Sequence, residues 1–292
     1  MKPAPFKYIA AASLEQALAL KAEYGDDAKF LAGGQSLIPA MNFRLARPAV
    51  LIDINALEEC SGIAPHKKGG TGIGALTRYR TLQNDISLVR GYPLFGEALP
   101  HIAHPQIRNR GTIGGNLSHA DPASELPALV VAMEAVIKVK ASTHERRIAA
   151  ADFFQGLLTT DLQPDEMLVA IELPAPKPRT GTCFSEVARR RGDFALAGAA
   201  ASITVDPDGL CTHARLALCG VGETPVDASD ATAILVGHRV DTERMDHVAD
   251  AVRRLIEPAG NVHASPDYQR HVAGVLTQRT LATAYDRACH GV

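Results

Sequence analysis

The sequence contains no Cys-x-x-Cys pair. Its five cysteines, Cys60, Cys183, Cys211, Cys219 and Cys289, are odd in number and scattered, so a disulfide scaffold, a zinc ribbon and an iron–sulfur cluster all lack their ligand spacing in this chain. Positive charge is not in excess either. Lys plus Arg number 30 against 32 Asp plus Glu, for a formal charge of -2, and no basic run exceeds Arg189-Arg190-Arg191. Holding a phosphate backbone takes many clustered cations, which excludes a nucleic-acid partner. No stretch reaches the roughly 18 apolar residues of a membrane span. Near the N-terminus, Glu15, Gln16 and Lys21 interrupt the small-residue run before it acquires signal-peptide character. A reducing, cytoplasmic setting is the resulting expectation.

What is present describes a folded globular chain. Of 292 residues, 46% are apolar and 21% charged, which sets aside disordered, collagenous and coiled-coil classes, and the length suggests two domains at about 150 residues each. The clearest break is Pro174-Ala175-Pro176-Lys177-Pro178-Arg179-Thr180-Gly181, whose prolines forbid helix and interrupt sheet ladders. Before it, Ser13 and Gln16 have capping-box spacing ahead of Leu14, Ala17 and Leu18, with Gly25 as the stop, predicting a helix of about three turns. Phe30 to Ala32 and Val50 to Ile54 read as strands flanking Gly33-Gly34. Thr77 is placed to cap a helix containing Leu82, Ile86 and Leu88, and Leu94 to Ile102 reads as another. A second glycine turn covers Gly111 to Asn116, and Asp121-Pro122 reads as a helix start. Ala135–Val139 and Met167–Leu173 read as strands. After the break, Phe194–Val205 and Leu210–Leu218 form a hairpin about Asp206-Pro207-Asp208-Gly209, and two helices follow, one carrying Met245, Val248, Val252 and Leu255, the other starting at Ser265-Pro266. No internal repeat appears, and the pattern is α+β.

Two glycine pairs carry the strongest chemical signal. Residues without Cβ can bring successive N–H groups against an anion, and the Gln35, Ser36, Thr112 and Asn116 side chains around Gly33-Gly34 and Gly114-Gly115 add donors suited to a pyrophosphate. The residues alone leave plain tight turns equally open. The chain has no G-x-x-x-x-G-K-[ST], and Gly70 to Gly74 lacks the third spacing of G-x-G-x-x-G, which disfavours P-loop and Rossmann sites. His101, His104 and His119 lack a third metal ligand nearby, and no G-x-S-x-G marks a serine nucleophile. Asp121 reads as a helix cap, Arg189 to Arg191 as a solvated strand end, and Phe194 as core unless a planar cofactor lies beside it.

The segments Leu31-Ala32-Gly33-Gly34-Gln35-Ser36-Leu37-Ile38-Pro39 and His104 to Leu117, followed in order by Ala120-Asp121-Pro122-Ala123-Ser124-Glu125-Leu126-Pro127 and Arg189 to Ala195, closely resemble the FAD-binding medium subunit of molybdenum hydroxylases, above all of the aerobic carbon monoxide dehydrogenase type. The motif Leu51-Ile52-Asp53-Ile54-Asn55 belongs to the same likeness, which covers essentially the whole chain. It implies a p-cresol methylhydroxylase-type FAD-binding domain over 1–175, in two α+β subdomains of about 1–57 and 58–175, and a smaller α+β domain over 182–292 with a short antiparallel sheet and helices. FAD would lie between the subdomains. Its pyrophosphate would be held by Ala32, Gly33, Gly34, Gln35, Ser36 and Leu37 and by Thr112, Ile113, Gly114, Gly115 and Asn116. Ile102 and Leu168 match positions that pack near the cofactor, Asp121 or Glu125 an acidic position near it, and Phe194 an aromatic position beside the isoalloxazine that is often Tyr.

The resemblance further implies an electron-transfer subunit with no catalytic residue or metal of its own. A molybdopterin-containing large subunit would oxidise the substrate and a small subunit with two [2Fe-2S] clusters would relay electrons, in a dimer of heterotrimers. Reoxidation would be by a quinone, NAD or oxygen. A stand-alone flavin oxidoreductase of the same fold and a non-catalytic binding module are the alternative classes.

Overall fold

In the computed structural model, which describes residues 2–66 and 69–291, the chain opens with β1 (Lys7–Ala10), α1 (Leu14–Tyr24), β2 (Ala28–Leu31), α2 (Leu37–Asn42) and β3 (Val50–Asp53). β3 lies between β1 and β2 and pairs in parallel with both. α1 forms where the capping residues place it: Ser13 Oγ accepts from the Gln16 amide at 3.2 Å, and Gln16 Oε1 accepts from the Ala12 amide at 2.7 Å. Leu14, Ala17 and Leu18 recur on one face and pack on Val50 and Ile52, so this small sheet is covered by its own helix.

The middle of the chain contributes β4 (Ile63–Pro65), β5 (Thr71–Gly74), α3 (Tyr79–Asn84), α4 (Ile86–Gly91), α5 (Pro93–Ala98), α6 (Pro105–Arg108), α7 (Ile113–His119), α8 (Glu125–Ala132), β6 (Val136–Lys140), β7 (Glu145–Ala149), α9 (Ala150–Phe153), the hairpin β8 (Phe154–Gly156) with β9 (Thr159–Thr160), and β10 (Met167–Leu173). Its sheet, ordered β4-β5-β10-β6-β7, is antiparallel throughout. β10 serves two cores. Met167 and Val169 join the N-terminal cluster, whereas Leu168, Ile171 and Leu173 join the central one. The register slips between Leu168 and Ala170, a bulge that lets the strand bend between the two subdomains.

The remainder is a meander of β11 (Thr180–Ala188), β12 (Ala195–Val205), β13 (Cys211–Cys219) and β14 (Val226–Asp227), backed by α10 (Thr242–Leu255) and α11 (Pro266–His290). Alternate residues of this sheet face opposite ways: Leu216 and Leu218 pack under the two helices, Ala217 and Cys219 against the central core. A sheet covered on both faces requires a continuous apolar strand, which is why Ala195–Val205 reads as a run of small residues without polar alternation. Glu97 on α5 accepts the Phe184 amide of β11 at 2.6 Å and pairs with Arg287 of α11, tying the last helix back to the middle of the chain. Among the described residues no helix is long and apolar enough to cross a membrane.

Four local expectations are corrected. Thr77 caps no helix; its hydroxyl bonds the Gly62 and Gly74 carbonyls at 3.0 and 2.7 Å, and the expected helix breaks into α3 and α4 because Asp85 caps anew, accepting from Leu88 at 2.8 Å. The helix expected to Ile102 ends at Ala98. Gly114-Gly115-Asn116 is no turn but the first turn of α7, with Thr112 as its N-cap. Asp121 does not start a helix. It accepts from the Ala123 amide at 3.0 Å in a local turn, and α8 begins only at Glu125.

Candidate functional site

The first glycine loop leaves β2 and enters α2. Gly34 has φ +71, a left-handed value that side chains rarely adopt, and a Cβ on Gly33 would overlap the Arg110 carbonyl oxygen and approach Gly111 Cα to 2.9 Å. The loop thus seats directly on the chain that leads into α7. Its backbone N–H groups from Gly33 to Leu37 meet no protein acceptor among the described residues, whereas the next amide, Ile38, bonds back to Gly34 at 3.1 Å. Successive free N–H groups around a left-handed glycine are a backbone arrangement suited to an anion. The Gln35 side chain is committed elsewhere, donating to the Gly33 carbonyl at 2.8 Å and bracing the loop.

The second loop contributes differently. The Ile113 amide donates to Thr77 at 3.1 Å, Gly114 to Ala75 at 2.8 Å, and Gly115 to the Thr112 hydroxyl at 3.1 Å, so these N–H groups are spent within the protein. The Asn116 backbone amide donates to the Thr112 carbonyl at 3.0 Å, and its side-chain Nδ2 donates to Ser124 Oγ at 2.7 Å. What this loop offers is a shelf: Gly115 is exposed, and a Cβ there would come within 3.7 Å of Ala32 Cβ. The structure therefore brings both loops together and leaves most of the free backbone donors on the first; on the second, among the described residues, only the Thr112 amide lacks an acceptor.

A second group assembles at the other side of the α6–α7 region. The turn joining β11 and β12 places Gly192, φ +87, so that a Cβ would meet the Ala103 carbonyl at 2.9 Å and His104 Cε1 at 3.2 Å. Ile102 is thereby adjacent to the turn that carries Phe194. Ile102, Ile113 and Leu168 are buried members of one core cluster. Phe194 is 67% exposed, which removes the reading of it as core. An aromatic ring presented to solvent suits stacking on a planar ligand. Arg189 and Arg190 are exposed and share Asp193 at 3.3 and 3.5 Å, as a solvated strand end should.

Asp121 is half-buried, whereas Glu125 is 4% exposed. Burial, then the neighbouring Glu186 carboxylate, then Asp121 push the Glu125 pKa up to about 8. Glu186, its side chain 2% exposed, meets His101 Nδ1 at 3.0 Å through one oxygen, and its other oxygen has no partner. His101 is thus engaged by a carboxylate and packs edge-on against Phe184 at 5.8 Å.

Residues that sequence reasoning missed lie between the two loops. Asn55 donates to the Leu31 and Ala32 carbonyls at 3.1 and 2.9 Å, and Arg78 bonds both the Asn55 side chain, at 2.6 Å, and the Arg110 carbonyl. For Asn55 a signal existed: Asp53-Ile54-Asn55 at a strand end has the spacing for a local side-chain turn, and the Asn55 amide does bond Asp53 at 2.8 Å. A lone Arg between Thr77 and Tyr79 carries none.

Since Phe194 is exposed, Phe194→Ala should leave stability almost unaltered. An offset aromatic contact is worth roughly 0.5–1.5 kcal/mol, so FAD affinity is expected to fall roughly 2- to 10-fold with a shifted flavin spectrum. Fluorescence titration of the apoprotein checks this, and an unaltered affinity and spectrum would remove Phe194 from the site.

The chain is similar to known proteins over nearly its whole length. Residues 4–176 match the FAD binding domain in molybdopterin dehydrogenase, and residues 182–284 match the CO dehydrogenase flavoprotein C-terminal domain. The chain is 40% identical to the 6-hydroxypseudooxynicotine dehydrogenase complex subunit alpha of Paenarthrobacter nicotinovorans, over 99% of this chain and 97% of that one. It is 37% identical to the carbon monoxide dehydrogenase medium chain of Hydrogenophaga pseudoflava, over 98% and 99%. A solved carbon monoxide dehydrogenase from that organism, one lacking the Mo-pyranopterin moiety of its molybdenum cofactor, superimposes with a TM-score of 0.95 at 38% identity, covering 98% of this chain and 99% of that one.

Proposed function

Because the chain belongs to the family of FAD-binding subunits of molybdopterin dehydrogenases, we propose that it is the electron-transfer subunit of a molybdenum hydroxylase, taking electrons from [2Fe-2S] clusters on a small subunit and passing them to an external acceptor. The observation that carries this reading is the run of free N–H groups from Gly33 to Leu37 seated against Arg110 and Gly111. Such an arrangement suits the pyrophosphate of FAD, which the chain can neutralise with dipoles where clustered lysines are lacking. Thr112 to Asn116 would form the opposing shelf and Phe194 the stacking face, with Ile102 and Leu168 packing near the cofactor. Bound FAD supplies an acceptor that takes two electrons and can release them to a second protein or a small molecule. The protein positions that group and excludes water from one side of it.

The cysteines support an external electron source. Cys60, Cys183, Cys211 and Cys219 are buried free thiols spread over three separate cores, and burial pushes Cys60 and Cys211 up to about 11, away from the thiolate that metal ligation needs. The clusters would therefore sit on a small subunit and the molybdopterin on a large one, in a cytoplasmic dimer of heterotrimers, with substrate choice made in the large subunit.

The test is expression of the full chain alone and together with its genomic neighbours, with candidate substrates and an artificial acceptor supplied to each preparation. Substrate-dependent turnover is expected only from the co-expressed complex, and it should be accompanied by bleaching of the flavin absorption before acceptor is added. Turnover by the lone chain would instead make it a stand-alone flavin oxidoreductase.

A further inference from the structure

The two glycine loops are not joined by hydrogen bonds of their own. What links them is a polar chain that begins in the N-terminal sheet. The Tyr8 hydroxyl donates to Asp53 Oδ2 at 2.6 Å, and Asp53 Oδ1 accepts from both the backbone and the side-chain nitrogen of Asn55 at 2.8 Å. Asn55 Nδ2 reaches the Leu31 and Ala32 carbonyls, at the entry to the first loop. Asn55 Oδ1 accepts from Arg78 Nη2 at 2.6 Å, and Arg78 Nη1 donates to the Arg110 carbonyl. That carbonyl is the one on which Gly33 is seated. Arg78 also forms an antiparallel bridge with Thr112, the cap of α7.

We propose that Asn55 and Arg78 act as a clamp, a pair of positioning residues that fixes the first glycine loop at its spacing from the second and so pre-forms the cradle for the FAD pyrophosphate. The inference rests on the pyrophosphate reading given above and adds to it the residues that hold the cradle in shape. Arg78 suits this task because its planar fork holds two acceptors at a fixed spacing, whereas a lysine ammonium is a compact point donor on a flexible stem. One N–H on each Nη is engaged by a protein acceptor, one on each side of the gap between the loops, and this is how it acts through them. Asn55 suits it because one amide offers donors to the first loop and an acceptor to the arginine. The loop amides are thereby held ready before the cofactor arrives, which lowers the ordering cost of binding.

The test uses the full chain, stripped of flavin and titrated with FAD and separately with ADP, which carries the diphosphate without the isoalloxazine. Arg78→Ala and Asn55→Ala are each expected to weaken FAD by roughly 10- to 100-fold, the scale of a lost hydrogen bond to a charged group. ADP should weaken by the same factor, whereas Phe194→Ala should weaken FAD alone. Because both residues serve one linkage, the double variant should bind no worse than the weaker single variant. Arg80→Ala, which loses only an exposed bond to Asn109 at 3.1 Å, should bind like the parent chain. Melting of the apoprotein separates positioning from general stability: the clamp predicts an affinity loss with an unaltered melting temperature. If Arg78→Ala does not fold, Arg78→Lys decides the matter, since it keeps the charge and should still lose affinity. Parental affinity in Arg78→Lys or Arg78→Ala, or losses that simply add in the double variant, would overturn the clamp. Failure of ADP to compete with FAD on the unsubstituted chain would instead overturn the pyrophosphate reading itself, a separate outcome.

Discussion

Replacing Gly33 with Val is expected to lower FAD affinity by about 100-fold or more and to yield protein that purifies without flavin. The reason is the identity of the obstacle. A Cβ on Gly33 overlaps the Arg110 carbonyl and crowds Gly111 Cα, and both are backbone, which cannot swing aside as a side-chain tip can. The first loop must then lift from the second. Overpacking of this kind costs roughly 1–3 kcal/mol, and each 1.4 kcal/mol is about a tenfold change in a binding constant, before the loss of free amides at Gly33 to Leu37 is counted. Gly115→Val is a useful companion. Its Cβ would meet chiefly the Thr112 hydroxyl, at 2.7 Å, a side-chain atom in its own cap, so the helix start can adjust while the exposed face is filled. Flavin content after purification and equilibrium titration of the apoprotein read the result, with circular dichroism confirming the fold. Retention of stoichiometric FAD by both variants would show that the pyrophosphate does not lie between these loops.

A large effect of another kind is expected from pH. Glu125 ionises in the folded chain near pH 8, against an ordinary value of 4.5, because burial and the Glu186 carboxylate both penalise its charge. Between those two values the folded chain keeps a proton that the unfolded chain has released. Folding stability contributed by this group is therefore whole below about pH 4.5, declines steadily as pH rises, and is gone above about pH 8. Glu125→Gln stays neutral at every pH. The variant and the parent chain should match near pH 5, and the variant should become the more stable by several kcal/mol, on the order of 4, at pH 8 and above. Denaturant melts across this range give the difference curve. A flat curve would mean that Glu125 is ionised in the folded protein at neutral pH, with water or a cation reaching it. His101 pairs with Glu186 at 3.0 Å, so His101→Gln, which removes that partner from the carboxylate facing Glu125, is the control that separates the two contributions.

Much of this was legible residue by residue. Ser13 with Gln16, Asp206 to Gly209 and Ser265-Pro266 stand where they were read, because each closes hydrogen bonds within four residues: Ser13 to Gln16 at 3.2 Å, Asp206 to the amides of Asp208 and Leu210 at 2.9 and 2.8 Å, Ser265 to Tyr268 at 3.2 Å. The misread elements failed for the opposite reason. Thr77 has a cap residue's chemistry, yet its hydroxyl is claimed by Gly62, fifteen positions earlier. Gly114-Gly115 has a turn's composition, but the Ala75 carbonyl and the Thr112 hydroxyl receive the amides that a turn would have left free, and a helix starts there. Asp121 closes its own short turn before α8 can begin.

The sequence by itself determined most of the order of helices and strands, the caps at Ser13 and Ser265 and the family to which the chain belongs, since those depend on residue type and on neighbours a few positions away. Tertiary structure alone decided which loop keeps most of its amides free, that Asn55 and Arg78 join the loops across 23 positions, that Phe194 faces solvent, and that Glu125 is buried under the charge of Glu186, 61 residues further on. The physical reason is common to all four. Desolvation and hydrogen-bond saturation are set by whatever the fold packs alongside a group, and in this chain the partners that matter lie tens of residues away, up to the 190 positions separating Glu97 from Arg287.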